Sequence, residues 1–230
     1  MPCTVALLAH TPHPDELVAA AARICYRDVT AADLLAGERE SLSEALLDQL
    51  WQSGHLSTFE HASFTFAVDG LSRVASHQLV RHRMASFSQQ SQRYVRMTGS
   101  SVIVPPSVAD MPEAEALFRQ QAEASFAAYR RLIELGVPAE DARFILPHGW
   151  ETRLVLTMNA RELHHFFHLR LCRRAQWEIR ALARQMLVLC SQEAPVLFKK
   201  AGPSCIFGAC GEVKPCGRPF KDMEDLLVED

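Results

Sequence analysis

The order in which strand-like and helix-like segments follow one another most constrains the fold of this chain. Thr4–Leu8 reads as a first or edge strand. Ser63–Val68 alternates Phe64, Phe66 and Val68, and Arg153–Met158 is apolar and β-branched, so both read as strands. Most of the rest reads as helix. Pro14 opens a helix that runs to about Arg23. Ser41–Gln52 places Leu42, Ala45, Leu46 and Leu50 on one face, and Leu71–Arg81 turns Leu71, Val74, Ala75 and Leu79 inward. A polar loop, Met84–Arg93, follows, then Val102–Val104 and a Pro-Pro break. Pro112 starts a long helix to about Glu134, which Gly136 ends, and residues 139–145 form a short helix before Pro147. Asn159 caps a helix to about Cys172, and Ala175–Gln192 is amphipathic. Strands and helices do not alternate regularly, which argues against a doubly wound parallel sheet. The chain also lacks Gly-x-Gly-x-x-Gly and a Walker loop, so any nucleotide must be gripped by other means.

The 230 residues, 48% hydrophobic and 22% charged, suit one domain with a sizeable core. A net charge of −3 excludes a globally basic nucleic-acid coat, although not a local basic patch. No apolar run reaches the roughly 18 residues of a membrane span. The apolar stretch in Met1–His10 is short and has no basic flank, so no signal peptide is expected. A cytoplasmic protein with reduced thiols follows as the expectation for the seven cysteines at 3, 25, 172, 190, 205, 210 and 216.

Charge is segregated. From Leu71 to Ala109 there is no Asp or Glu, yet Arg73, Arg81, Arg83, Arg93, Arg96, His77 and His82 all fall there. Guanidinium forks match phosphate and carboxylate oxygens two at a time. Among them stand Ser86, Ser88, Gln89, Gln90, Ser91 and Gln92, whose hydroxyls and amides can address a base edge. A solvated basic face fits the same composition. A second basic group, Arg153, Arg161, Arg170, Arg173 and Arg174, follows Arg143, with Glu162 and Glu178 as counter-charges.

Arg81-His82-Arg83, seven residues and then Ser91 form an RHRx7S motif. Upstream stand Gly54-His55, Phe59-Glu60-His61 and Phe64-Thr65-Phe66. Downstream come Ala142-Arg143, Leu146-Pro147, Thr157-x-Asn159-Ala-Arg161-x-Leu163 and Ala175-Gln176-Trp177-Glu178-Ile179. In this order the blocks resemble the flavin-dependent thymidylate synthases (the ThyX family) over roughly residues 1–200, leaving 201–230 as a cysteine-containing tail. The resemblance implies an α/β fold of the α+β type, with long helices on a mostly antiparallel sheet. It implies a homotetramer with active sites between subunits. It also implies methylation of dUMP to dTMP, with methylenetetrahydrofolate as carbon donor and FAD, reduced by NADPH, as hydride source.

By position, the resemblance implies FAD contacts from Ser57, Arg81, His82, Arg83, Gln89, Asn159, Arg161 and His165. It implies dUMP contacts from Gln78, Arg81, Gln89, Gln90, Ser91, Gln92, Arg93, Arg143 and Arg170. Arg170 matches an arginine that favours ionised uracil, a catalytic role consistent with a fixed cation aimed at developing negative charge. His55 is a folate-side candidate. The chain departs from the family's usual residue at Ser88 (Asn), and from that of some members at Gln89 (Glu), His165 (Asn) and Arg174 (His).

Other readings of these residues stand beside these. An acid-free Arg/Gln segment also suits a single-stranded nucleic-acid module, and a flavoprotein of the same fold could act on another substrate. Ser91 as a nucleophile would need a base within reach, and Arg81 is a poor one. His164, His165 and His168 share helical spacing but lack a metal motif. Phe64, Phe66, Phe166 and Phe167 suit a core better than flavin stacking, and His61 suits either a structural or a ligand role. Cys205, Cys210 and Cys216 give Cys-x4-Cys-x5-Cys, which fits either an irregular tail with free thiols or a metal site completed by Cys190 or another subunit.

Overall fold

A computed structural model describes residues 3–25, 27, 28, 30, 44–99 and 101–228. Four strands, β1 (Thr4–His10), β2 (Ser63–Ser72), β3 (Ala85–Gln89) and β4 (Glu151–Asn159), form one sheet in the order β1-β2-β4-β3. Every pairing is antiparallel. The helices are α1 (Pro14–Ile24), α2 (Glu44–Ser53), α3 (Arg73–Leu79), α4 (Pro106–Ala109), α5 (Pro112–Glu134), α6 (Ala139–Ala142), α7 (Ala160–Arg170), α8 (Trp177–Glu193) and α9 (Met223–Val228). Short 3-10 turns cover Leu56–His61, Arg143–Ile145 and Ser204–Ile206.

One face of the sheet is buried. Phe64, Phe66 and Val68 of β2 stand beside Leu154, Leu156 and Met158 of β4, because alternate residues of a strand share a face. Against them pack Leu163, Phe166 and Phe167 of α7 and Ile179, Leu182 and Met186 of α8. Each such side chain contributes roughly 1.5–3 kcal/mol by leaving water. The four Phe residues read as core side chains are all fully buried.

The other face is open. Thr65, Arg153, Val155, Thr157, Ser86 and Ser88 line it, with a hydroxyl–hydroxyl contact of 2.9 Å between Thr65 and Thr157. The β2 ladder shifts register at Gly70, whose φ of 75° favours glycine, and this bulge turns the chain into α3.

Several expected elements differ in detail. Residues 41–43 of the second expected helix lie outside the described residues. In α2, Leu47 and Leu50 face the core while Ala45 is exposed. In α3, Val74 is 40% exposed, and Ser76 joins Ala75 and Leu79 inside. The segment read as a polar loop contains β3 instead. Its outward serines are polar because the sheet face they occupy is open, and Ala85 and Phe87 pack partly against the core. Val102–Val104 contributes only a bridge from Val102 to Trp150.

The long helix α5 buries only Ala122, Phe126 and Tyr129. These join Ala142, Leu146 and Trp150 in a second, smaller core. Among the described residues, 201–228 build no core of their own, since Phe220 and Leu226 belong to the main one. No helix among the described residues is long and apolar enough to cross a membrane.

Candidate active site

Two regions and a side-chain relay collect residues singled out in the sequence. The first is a cavity of about 920 Å³ at the N-terminal end of α7. Asn159, Arg161 and His165 line it, together with Trp51, Glu60, Met84, Glu162, His164, Lys200 and Phe207. Ser57, Arg81, Arg83 and Gln89 do not line it. Asn159 ends β4 and caps α7, its side-chain oxygen accepting from the Glu162 amide at 2.9 Å. Arg161 is exposed and pairs with Glu60 at 2.5 Å. His164 is wedged between Trp51 and Phe198, and its Nε2 donates to the Leu197 carbonyl at 2.8 Å. Burial pushes its imidazole down to about 4. Its Nδ1 is buried without a hydrogen-bond partner.

The relay runs from Arg170 through His82 to Glu162. Arg170 Nε donates to His82 Nε2 at 3.1 Å, and His82 Nδ1 meets Glu162 Oε1 at 3.0 Å. These partners assign the neutral imidazole with its proton on Nδ1. Burial holds the His82 pKa below its ordinary value, and the hydrogen bond to Glu162 opposes this. Arg170 also reaches the Gln78 carbonyl at 3.3 Å. The His82, Glu162 and His165 ligand atoms lie within 4.8 Å of one another.

The second region lies at the far end of the β3–β4 ladder, where Gln89 faces Leu154. Gln89 Nε2 donates to Ser76 Oγ and Thr152 Oγ1, both at 3.1 Å. Arg73 Nη2 donates to the Gln90 carbonyl at 2.9 Å, while its Nε is buried without a partner. Burial, then the nearby Arg143 charge, holds the Arg73 pKa below its ordinary value. The Arg93 amide donates to Ser91 Oγ at 3.2 Å, so Ser91 serves a local turn. Arg93 pairs with Glu140 at 2.9 Å, and Arg143 Nε donates to the Glu140 carbonyl at 3.1 Å. Gln92 is buried, and Arg81 and Arg83 are exposed. His55 and His61 are exposed beside the 3-10 turn.

Glu162, Arg73, His164 and Lys200 were not singled out as site residues from the sequence. Glu162 had a readable signal, because Asn159-x-x-Glu162 has capping-box spacing. Its carboxylate turns to His82 rather than back to the cap. Lys200 and Trp51 had none, since only the fold brings them to α7.

The family model described as "Thymidylate synthase complementing protein" matches residues 6–196. A flavin-dependent thymidylate synthase of Geobacter sulfurreducens is 54% identical, over 95% of this chain and 98% of that protein. One from Pyrococcus furiosus is 42% identical over 90% of this chain and 89% of its own length. Among solved structures, the UMP/dUMP methylase PolB of Streptomyces cacaoi, bound with 5-Br dUMP, superposes with a TM-score of 0.74 at 29% identity. It covers 86% of this chain and 93% of its own. A family match spanning this much of the sequence, on this antiparallel sheet, makes the chain a member of the thymidylate synthase complementing protein family.

Proposed function

We infer that the chain is a flavin-dependent thymidylate synthase that methylates carbon 5 of dUMP to give dTMP. One observation carries the reading. The Arg170–His82–Glu162 relay ties the RHR segment to the helix that walls the large cavity, so nucleotide-side and flavin-side residues are held as one unit.

The cavity suits a flavin. Its volume is at the upper end of cofactor pockets. Arg161 and Lys200 offer cations for a pyrophosphate, Asn159 and His165 offer hydrogen bonds, and Trp51 and Phe207 offer apolar walls. When bound, FAD reduced by NADPH supplies the hydride, and methylenetetrahydrofolate supplies the carbon. The chain's own residues bind and polarise. Arg73, Arg143, Arg93 and Ser91 suit the dUMP phosphate, and Arg73 Nε is a buried donor still lacking an acceptor. Gln89 and Gln90 address the uracil. Arg170, steered by His82, stabilises negative charge on the ring, which raises the nucleophilicity of carbon 5.

Met84 at the cavity and Gln89 in the second region stand five residues apart along this segment, about 17 Å if it is extended throughout. Residues of another copy could complete each site. A homotetramer is supported by the open sheet face, by the sparsely buried α5, and by Phe144, 84% exposed, and Tyr94, 80% exposed.

The test is visible absorption of the purified protein with added FAD, followed under anaerobic NADPH with and without dUMP. A bound flavin spectrum that bleaches at a dUMP-dependent rate, with dTMP formed once methylenetetrahydrofolate is added, is expected. Absence of bound flavin at saturating FAD, with salt-sensitive binding of single-stranded nucleic acid, would overturn the reading in favour of a nucleic-acid module.

A further inference from the structure

Beside the large cavity lies a second, smaller one of about 160 Å³. Four of the seven cysteines line it: Cys172, Cys205, Cys210 and Cys216. Cys172 lies two residues past the end of α7, and the other three come from residues 205–216. Cys190, considered from the sequence as a fourth partner, is fully buried in the main core and does not line this cavity.

Three observations distinguish this group from thiols scattered on a tail. The first is backbone support. The Arg218 amide donates to Cys216 Sγ at 3.4 Å. This bond runs from residue i+2 to sulfur i and fixes the turn that presents Cys216. Gly217, with φ of 73°, makes the turn beneath Cys216. The second is charge. Arg173 and Arg218 line the cavity with one carboxylate, Glu212, so cations outnumber acidic side chains beside the four thiols. The third is how little else holds this segment. Phe207 to Pro219 is exposed throughout and contains no helix or strand. Among the described residues it is tied down by Gly211 to Ser204, by Arg174 to Glu212 and Lys214, and by the turn at Cys216.

We propose that Cys172, Cys205, Cys210 and Cys216 bind one zinc ion as a tetrathiolate site that fastens residues 205–216 to the end of α7. Four thiols give up their protons to solvent as four S–Zn bonds form, leaving a −2 unit that the flanking arginines offset. Cys205-x4-Cys210 lies at the wide end of ordinary zinc-ligand spacing. Among the described residues no three of these sulfurs lie within 4.8 Å of one another, so binding requires residues 205–216 to close on the ion.

The site acts on the flavin cavity through the segment between two of its ligands. Phe207, Gly208 and Ala209, bracketed by Cys205 and Cys210, form part of the wall of the 920 Å³ cavity. Fixing both ends of that segment fixes the wall. This consequence rests on the flavin reading, whereas the ion itself does not.

The experiment uses the full chain, purified under reducing conditions from zinc-supplemented medium. Elemental analysis should find about one zinc per chain, and cobalt exchange should give thiolate-to-metal charge-transfer bands. Cys216→Ser should lose the metal, while Cys25→Ser, at an exposed cysteine outside the cavity, should retain it. Chelation or Cys216→Ser should raise the FAD dissociation constant several-fold. Zinc bound without any change in FAD affinity would keep the site and overturn the wall coupling. No retained zinc and no cobalt bands would overturn the proposal, as would alkylation and mass spectrometry showing disulfides among the four cysteines.

Discussion

Arg170 is held at two points, His82 Nε2 and the Gln78 carbonyl, and this leaves part of its guanidinium to face a substrate. Arg170→Ala should therefore lower dUMP turnover by about 100-fold or more, the scale of removing one preorganised donor. FAD affinity should stay within about threefold, because a cofactor bound at the cavity does not rely on this donor. Unchanged turnover would remove Arg170 from the catalytic machinery. His164 makes a pH prediction. Its folded pKa of about 4 lies below the ordinary value of 6.5, so the unfolded chain takes up its proton first as pH falls. Stability is complete above pH 6.5 and declines toward pH 4, by about 3 kcal/mol from this residue. Denaturant titrations between pH 7 and 4.5 should show the decline, and His164→Phe should flatten it. An equally steep slope in the variant would place the titration elsewhere. The sequence marks Arg170 and His82 as site residues, but it shows Glu162 only as a counter-charge. Its partner His82 lies 80 positions away, and pairing over such a distance is set by packing.

α3 shows how one element depends on another. Ser72 caps it, with Ser72 Oγ accepting from the Ala75 amide at 3.0 Å. Glu178, buried in the first turn of α8, accepts from the Ser72 amide at 2.6 Å and from its hydroxyl at 2.5 Å. The start of the helix that leads into the RHR segment is thus bolted to α8. Glu178→Ala should cost about 3 kcal/mol, because it strands a buried amide and hydroxyl. Urea unfolding measures this, and a loss under about 1 kcal/mol would show the bolt to be dispensable. The helices were legible from periodicity and caps. β3 was not, because Ser86 and Ser88 occupy a face that meets no core, and the inner face offers only Ala85, Phe87 and the polar Gln89. Glu178, like Glu162, showed in the sequence only as a counter-charge. Likewise, Cys172 reads as a solitary cysteine until α7 delivers it to the tail.

At the scale of the molecule, the open sheet face carries the assembly prediction. Val155, 39% exposed at its centre, becomes charged in Val155→Glu. Light scattering should then show a tetramer in the parent and smaller species in the variant, with weaker FAD binding in step. A variant that keeps the parent's mass would exclude this face as the interface. The sheet also dictates how the chain must fold. Thr4 meets Asp69, Ser63 meets Asn159, and Ala85 meets Met158, so no ladder is a hairpin and each joins distant parts of the chain. β4 is central to two of the three ladders, so the sheet cannot assemble until about two-thirds of the sequence is available. Folding of this protein is consequently a high-contact-order process, slow to start and exposed to strand mispairing until β4 arrives.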